Sequence, residues 1–150
     1  MGKQDDASLI LKLYDLRRED VMRKARTWHI LEFHPESADD VMNAFMGPNS
    51  AYVRMVVSYW DMACSFVTNG AIDTQMFNDA NQEHIATYCK YSHIIDQVRE
   101  GAMMPNFLVH LQKVVMSIPN IEERLATMRA RFKQFGEMQR EAAAKAQAAS

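Results

Sequence analysis

Four side chains in this sequence have the types and spacing to support chemistry: Asp61, Cys89, His93 and Arg99. Cys89 and His93 are four residues apart, which places a thiol and an imidazole on one face of a helix, with His84 one further turn away. Tetrahedral zinc takes three or four ligands, and one such pair supplies two. The expected state is therefore a buried thiol beside a partly exposed imidazole, with no metal and no cofactor. His29 and His34 are five apart, a poor helical spacing for joint ligation. Asp61 follows Arg54 by seven, so both lie on one face of a strongly apolar stretch, and Arg99 closes a second long stretch. An isolated charge in a core is costly, so Asp61 and Arg99 are expected to meet across two helices as a structural ion pair. The competing reading is a polar pocket near Asp61, Arg99, Cys89 and His93 that binds a small molecule or metal.

Other chemistry finds little footing. There is no Gly-x-Ser-x-Gly elbow, no Ser-x-x-Lys, no glycine-rich phosphate loop and no His-Glu-x-x-His helix. No catalytic residues are assigned, and the chain is not expected to be an enzyme. Its formal net charge of -2 supplies no general attraction to phosphate backbones or anionic lipid. Arg17, Arg18, Arg23, Lys24 and Arg26 form a basic cluster, but Glu19 and Asp20 interrupt it, so a solvated face is expected rather than nucleic-acid binding.

The elements that must position these residues are helices. No sustained period-two alternation appears, and the one Asn-Gly step, Asn69-Gly70, sits where a helical pattern ends. Asp6 and Asp20 are candidate caps for two N-terminal helices, or one bent helix, carrying Leu9, Leu13 and Leu16, then Val21, Ala25, Trp28 and Leu31. Pro35 ends that region. Ser37 caps a short helix to about Met46. Residues 50–69 are apolar nearly all round, the pattern of a buried helix, with Gly70 and Ile72 closing it in a Schellman-type turn. Asp73 caps a short helix around Met76 and Phe77, and Asn81 opens a long one over 81–100. A linker at 101–105 precedes a helix around Leu111, which stops before Pro119.

The cleanest periodicity comes last, with Ile118, Ile121, Leu125, Met128, Phe132 and Phe135 at alternating spacings of three and four. Asn120 and Glu123 form a capping box at its start. Beyond Gly136 the alanine-rich sequence favours helix but has no apolar stripe.

The expected fold is an all-α, compact, irregular bundle of about six to eight helices. Its central buried pair lies near 50–69 and 81–100, with a long C-terminal helix laid across it. Residues 1–136 make one domain, and residues 137–150 an extension, helical or frayed. Cys64 and Cys89 do not form a disulfide framework, and the most apolar stretch is broken by Arg54 and Asp61, so a cytoplasmic chain without membrane insertion is expected.

One resemblance is visible. Trp60-Asp61 in the buried helix, Gly70-Ala71-Ile72-Asp73 at its end, Arg99 closing the next helix, and Leu13-Tyr14-Asp15-Leu16-Arg17 followed by Trp28 resemble a family of small all-helical bacterial proteins of unknown function. The resemblance spans roughly residues 9–115. It implies a bacterial source and the Asp61–Arg99 contact, and it brings no activity. Some members of that family begin with a membrane-spanning helix, which this sequence does not show.

The leading functional expectation is a non-enzymatic interaction module. Leu125, Met128, Phe132 and Phe135 are its interaction surface, for a protein partner or a second copy of the chain. Twelve methionines, Met103-Met104 among them, would suit an adaptable groove as well as a core.

Overall fold

A computed structural model describes residues 2–150. Among them are nine α-helices and no strand: α1 (Lys3–Arg17), α2 (Asp20–Leu31), α3 (Ala38–Met46), α4 (Ser50–Thr68), α5 (Thr74–Ala80), α6 (Glu83–Cys89), α7 (Ile95–Gly101), α8 (Val109–Met116) and α9 (Ile121–Ala149).

α4 is the centre because its sequence leaves little for solvent. Val53, Val56, Val57, Tyr59, Trp60, Ala63, Cys64 and Val67 are buried, the larger ones each contributing roughly 1.5–3 kcal/mol of apolar transfer. Its neighbours differ from expectation. α4 packs most extensively on α2 and α8, and α6 touches it over a smaller area. The end of α4 follows its sequence: Gly70 takes φ +82, the Ala71 N–H donates to the Phe66 carbonyl at 2.8 Å, and Ile72 folds back into the core.

The N-terminal region is two helices. Glu19, rather than Asp20, caps α2, accepting from the Val21 and Met22 N–H groups at 3.0 and 2.9 Å. Docking on α4 turns α2 so that Met22, Ala25 and His29 face inward, while Val21 and Leu31 face solvent. On α1 the buried pair is Ile10 and Leu13, and Leu16 is 57% exposed. Asp6 does not cap its own helix but accepts from the Asp73 N–H at 2.8 Å, tying α1 to the start of α5. Ser37 and Asp73 cap α3 and α5 as their sequence positions suggest.

The expected long helix over 81–100 is instead α6 and α7, joined by turns at residues 90–94. Nothing local breaks it, since the segment has neither glycine nor proline. Thr87, Tyr88, Cys89, Lys90 and Tyr91 are five consecutive buried residues, which a straight helix would spread around its whole perimeter. Lys90 and Tyr91 bond to groups of the α2 region, and those tertiary bonds override helical continuity. Asn81 does not cap α6; it is buried, receives a hydrogen bond from Arg17 at 3.1 Å and donates to the Phe77 carbonyl at 3.0 Å.

α9 lies on α6 and α8 and runs unbroken to Ala149. Asn120 enters it in the left-handed region at φ 60 without a side-chain cap, so the expected capping box is not formed. Gly136 does not end the helix. It is buried within it, and a Cβ there would stand 3.2 Å from Cδ2 of His34, so glycine lets that ring lie against α9. Residues 141–150 are exposed throughout.

Candidate functional site

Asp61 and Arg99 converge on the same turn without pairing. Asp61 Oδ1 accepts from the His110 and Leu111 N–H groups at 3.0 and 2.9 Å, capping α8 from the side of α4. α8 needs this because Leu108, at φ 54, offers no side-chain cap. Arg99 Nε donates to the Phe107 carbonyl at 3.0 Å, and its buried Nη2 has no partner. The ion pairs among the described residues are Arg26–Glu83 and Arg18–Asp15. Both expected charges are therefore present, but their bonds go to the backbone of 107–111, and they shape the entry to α8 rather than a pocket.

Arg26 grips Glu83 through two bonds, at 2.7 and 3.1 Å, and Arg17 lies over the Trp60 ring. Two members of the N-terminal basic cluster thus serve internal contacts.

Cys89 and His93 do share a site, and it is a different one. The segment after α2, the α6–α7 turn and α9 enclose a cleft of about 320 Å³ lined by His34, Pro35, Glu36, Cys89, Lys90, His93, Arg129, Phe132 and Lys133. Arg129, Phe132, Lys133 and Gly136 are spaced three, one and three, and so share one face of α9.

Lys90 forms the base of this cleft. It is 3% exposed, and its ammonium donates to the carbonyls of Ile30 and Phe33 at 2.9 and 2.7 Å and to His34 Nδ1 at 3.0 Å. The Ile30 carbonyl belongs to the last turn of α2, where such groups lack helical partners, so Lys90 acts as a C-cap reaching in from another segment. Its Nζ also sits 4.0 Å from the centre of the Phe132 ring. Three acceptors match three protons, but loss of solvent works against the charge and brings its pKa from 10.5 down to about 7.

The tautomers follow from the carbonyls. His34 Nε2 lies 3.1 Å from the Leu31 carbonyl, which can only accept, so Nε2 carries the proton and Nδ1 receives Lys90. His93 Nε2 likewise donates to the Pro35 carbonyl at 3.1 Å. Partial burial lowers the pKa of both rings, with Lys90 adding to the effect at His34 and Arg129 at His93. Burial pushes the thiols of Cys64 and Cys89 upward, so neither is a ready nucleophile. Cys89 Sγ contacts the Leu125 carbonyl at 3.4 Å. No cluster of three or more His, Cys, Asp or Glu residues with metal-binding geometry occurs among the described residues.

Arg129 differs from its neighbours. Nη2 donates to Ser92 Oγ at 2.6 Å, while Nε is buried without a partner. Sequence reasoning missed Lys90, Arg129 and Lys133. The available signals were a lysine inside the apolar run Tyr88-Cys89-Lys90-Tyr91 and two cations flanking Phe132 on the C-terminal stripe.

Fold and cleft together define a small all-α bundle in which a terminal helix closes one side of a polar-rimmed cleft. The chain belongs to the DUF4760 family, a domain of unknown function whose family model matches residues 4–117. That match runs from within α1 to just past α8, so α9 and its face of the cleft lie beyond the matched residues. No curated protein and no solved structure matches the chain. No helix among the described residues is long and apolar enough to cross a membrane.

Proposed function

We propose that this chain is a non-enzymatic binding module that takes a small molecule in the cleft between His34–Glu36, Cys89–His93 and α9. The observation that carries this is the cleft's incomplete bonding: Arg129 lines it with a guanidinium held to the protein only through Ser92. Its volume of about 320 Å³ falls at the small end of ligand pockets, which run roughly 300–1,000 Å³. Lys90 and both histidine Nε2 groups are occupied by fixed bonds, which favours holding over catalysis. The free, buried state of Cys64 and Cys89 supports a reducing, cytoplasmic setting. A fragment screen read by amide chemical shifts tests the reading. Hits should cluster on residues 34–36, 89–93 and 129–133; hits confined to other faces would refute it.

Self-association through α9 is the second reading. Leu125 is buried within the chain and Met128 and Phe132 are partly covered, which leaves Phe135, 38% exposed, and Met138, 64% exposed, as the open remainder of the stripe. Native mass spectrometry decides this: a dimer lost on Phe135→Ser with Met138→Ser supports it, and a monomer at high concentration ends it.

A further inference from the structure

Donors and acceptors are unevenly distributed around the cleft. The Lys90 protons are taken by Ile30, Phe33 and His34, and the His34 and His93 Nε2 protons by Leu31 and Pro35. The cationic groups left to meet a ligand are Arg129 and Lys133, opposed on the rim by one carboxylate, Glu36. Between them lie apolar surfaces, the Phe132 ring and Pro35.

We infer that the ligand is a small organic monocarboxylate, its carboxylate on Arg129 and Lys133 and its apolar body against Phe132 and Pro35. This rests on the cleft being a binding site at all. Arg129 keeps guanidinium donors beyond the Nη2–Ser92 bond, and a charged donor binds a carboxylate more strongly than a neutral amide. A cationic ligand would be repelled by Arg129, Lys133 and the Lys90 ammonium. Inorganic phosphate would find too few donors for its charge and would leave the apolar walls unused, since dedicated phosphate sites add helix N-termini or successive backbone N–H groups. The histidines report on occupancy. The Arg129 charge helps to keep His93 neutral, so an anion on Arg129 offsets that repulsion and raises the His93 pKa.

The test titrates the full chain, labelled for amide and imidazole detection, with phenylacetate, phenylacetamide, phenethylamine and inorganic phosphate. Phenylacetate is expected to move signals of residues 34–36, 89–93 and 129–133 at a concentration about tenfold below that needed for phenylacetamide, a difference of about 1.4 kcal/mol. The His93 ring should titrate at higher pH when phenylacetate is bound. Lys133 is exposed, so Lys133→Gln keeps the fold and should weaken phenylacetate several-fold while leaving phenylacetamide unchanged. If phenylacetamide, phenethylamine or phosphate equals phenylacetate at the cleft, the carboxylate assignment is wrong and the cleft reading stands. If none of the four moves cleft signals, both fall.

Discussion

Acid should destabilise this fold well before its carboxylates titrate, because two histidines are buried in the neutral form. His29 is fully buried with Nε2 2.7 Å from the Tyr91 hydroxyl and Nδ1 unpartnered. Burial, aided by Lys90 and His34, lowers its pKa from 6.5 to about 3. His84 is enclosed by Trp60 and Phe77 and bonded to Asn78 Oδ1 at 2.8 Å. Burial, with Arg124 and Arg17 nearby, lowers its pKa from 6.5 to about 4.

In both cases the folded value lies below the unfolded one, so between the two the unfolded chain binds more protons. Stability is then fully present above about pH 6.5 and is lost as pH falls. Between pH 7 and pH 5 the loss comes to about 2 kcal/mol per histidine, about 4 kcal/mol together. His34 and His93 are shifted the same way and add to it. Glu19, its pKa lowered by the Val21 and Met22 N–H groups, acts only below its ordinary 4.5. A total stability of roughly 5–15 kcal/mol is usual, so the effect is large.

Urea unfolding followed by fluorescence of the buried Trp60 measures it at constant ionic strength. With a urea slope of about 2 kcal/mol per molar, the midpoint should fall by about 2 M from pH 7 to pH 5. His29→Gln and His84→Gln should each remove roughly half of that pH dependence, whatever they cost at pH 7. A midpoint that is flat between the two pH values, or a slope unchanged in both variants, refutes the reasoning.

Two further outcomes follow from the bonds at Asp61 and Lys90. Asp61→Ala strands two N–H donors at the head of α8 and should cost about 2–4 kcal/mol. Asp61→Asn keeps an acceptor and should cost about half as much, and amide exchange at His110 and Leu111 should quicken in that order. Lys90→Met leaves three acceptors without donors and removes a group whose folded pKa, about 7, lies below its ordinary 10.5. Stability contributed through that difference rises with pH across the window from 7 to 10.5. The wild-type advantage over Lys90→Met should therefore widen from pH 7 to pH 10, and a gap that narrows would overturn the assignment.

The sequence by itself determined what depends on neighbours along the chain. Helical periodicity, the Gly70 stop with Ile72 folded back, and the Ser37 and Asp73 caps involve residues within six positions of one another, and the structure has all of them. The buried character of α4 was also legible, because an apolar perimeter admits few other fates. Tertiary structure decided what depends on bonds between distant segments. The break between α6 and α7 has no local breaker; Lys90 and Tyr91 reach groups about sixty positions away, and their bonds set the chain's path. Asp61 was legible as a buried charge needing a partner, but its partner is backbone forty-nine and fifty positions on, and backbone donors carry no sequence signature. The cleft belongs to the same class. Cys89 and His93 were visible as a pair, but the pocket exists because Gly136 admits the His34 ring against α9 and sets Arg129 and Lys133 opposite them. Spacing shows which residues share a helix face, and only packing shows what that face meets.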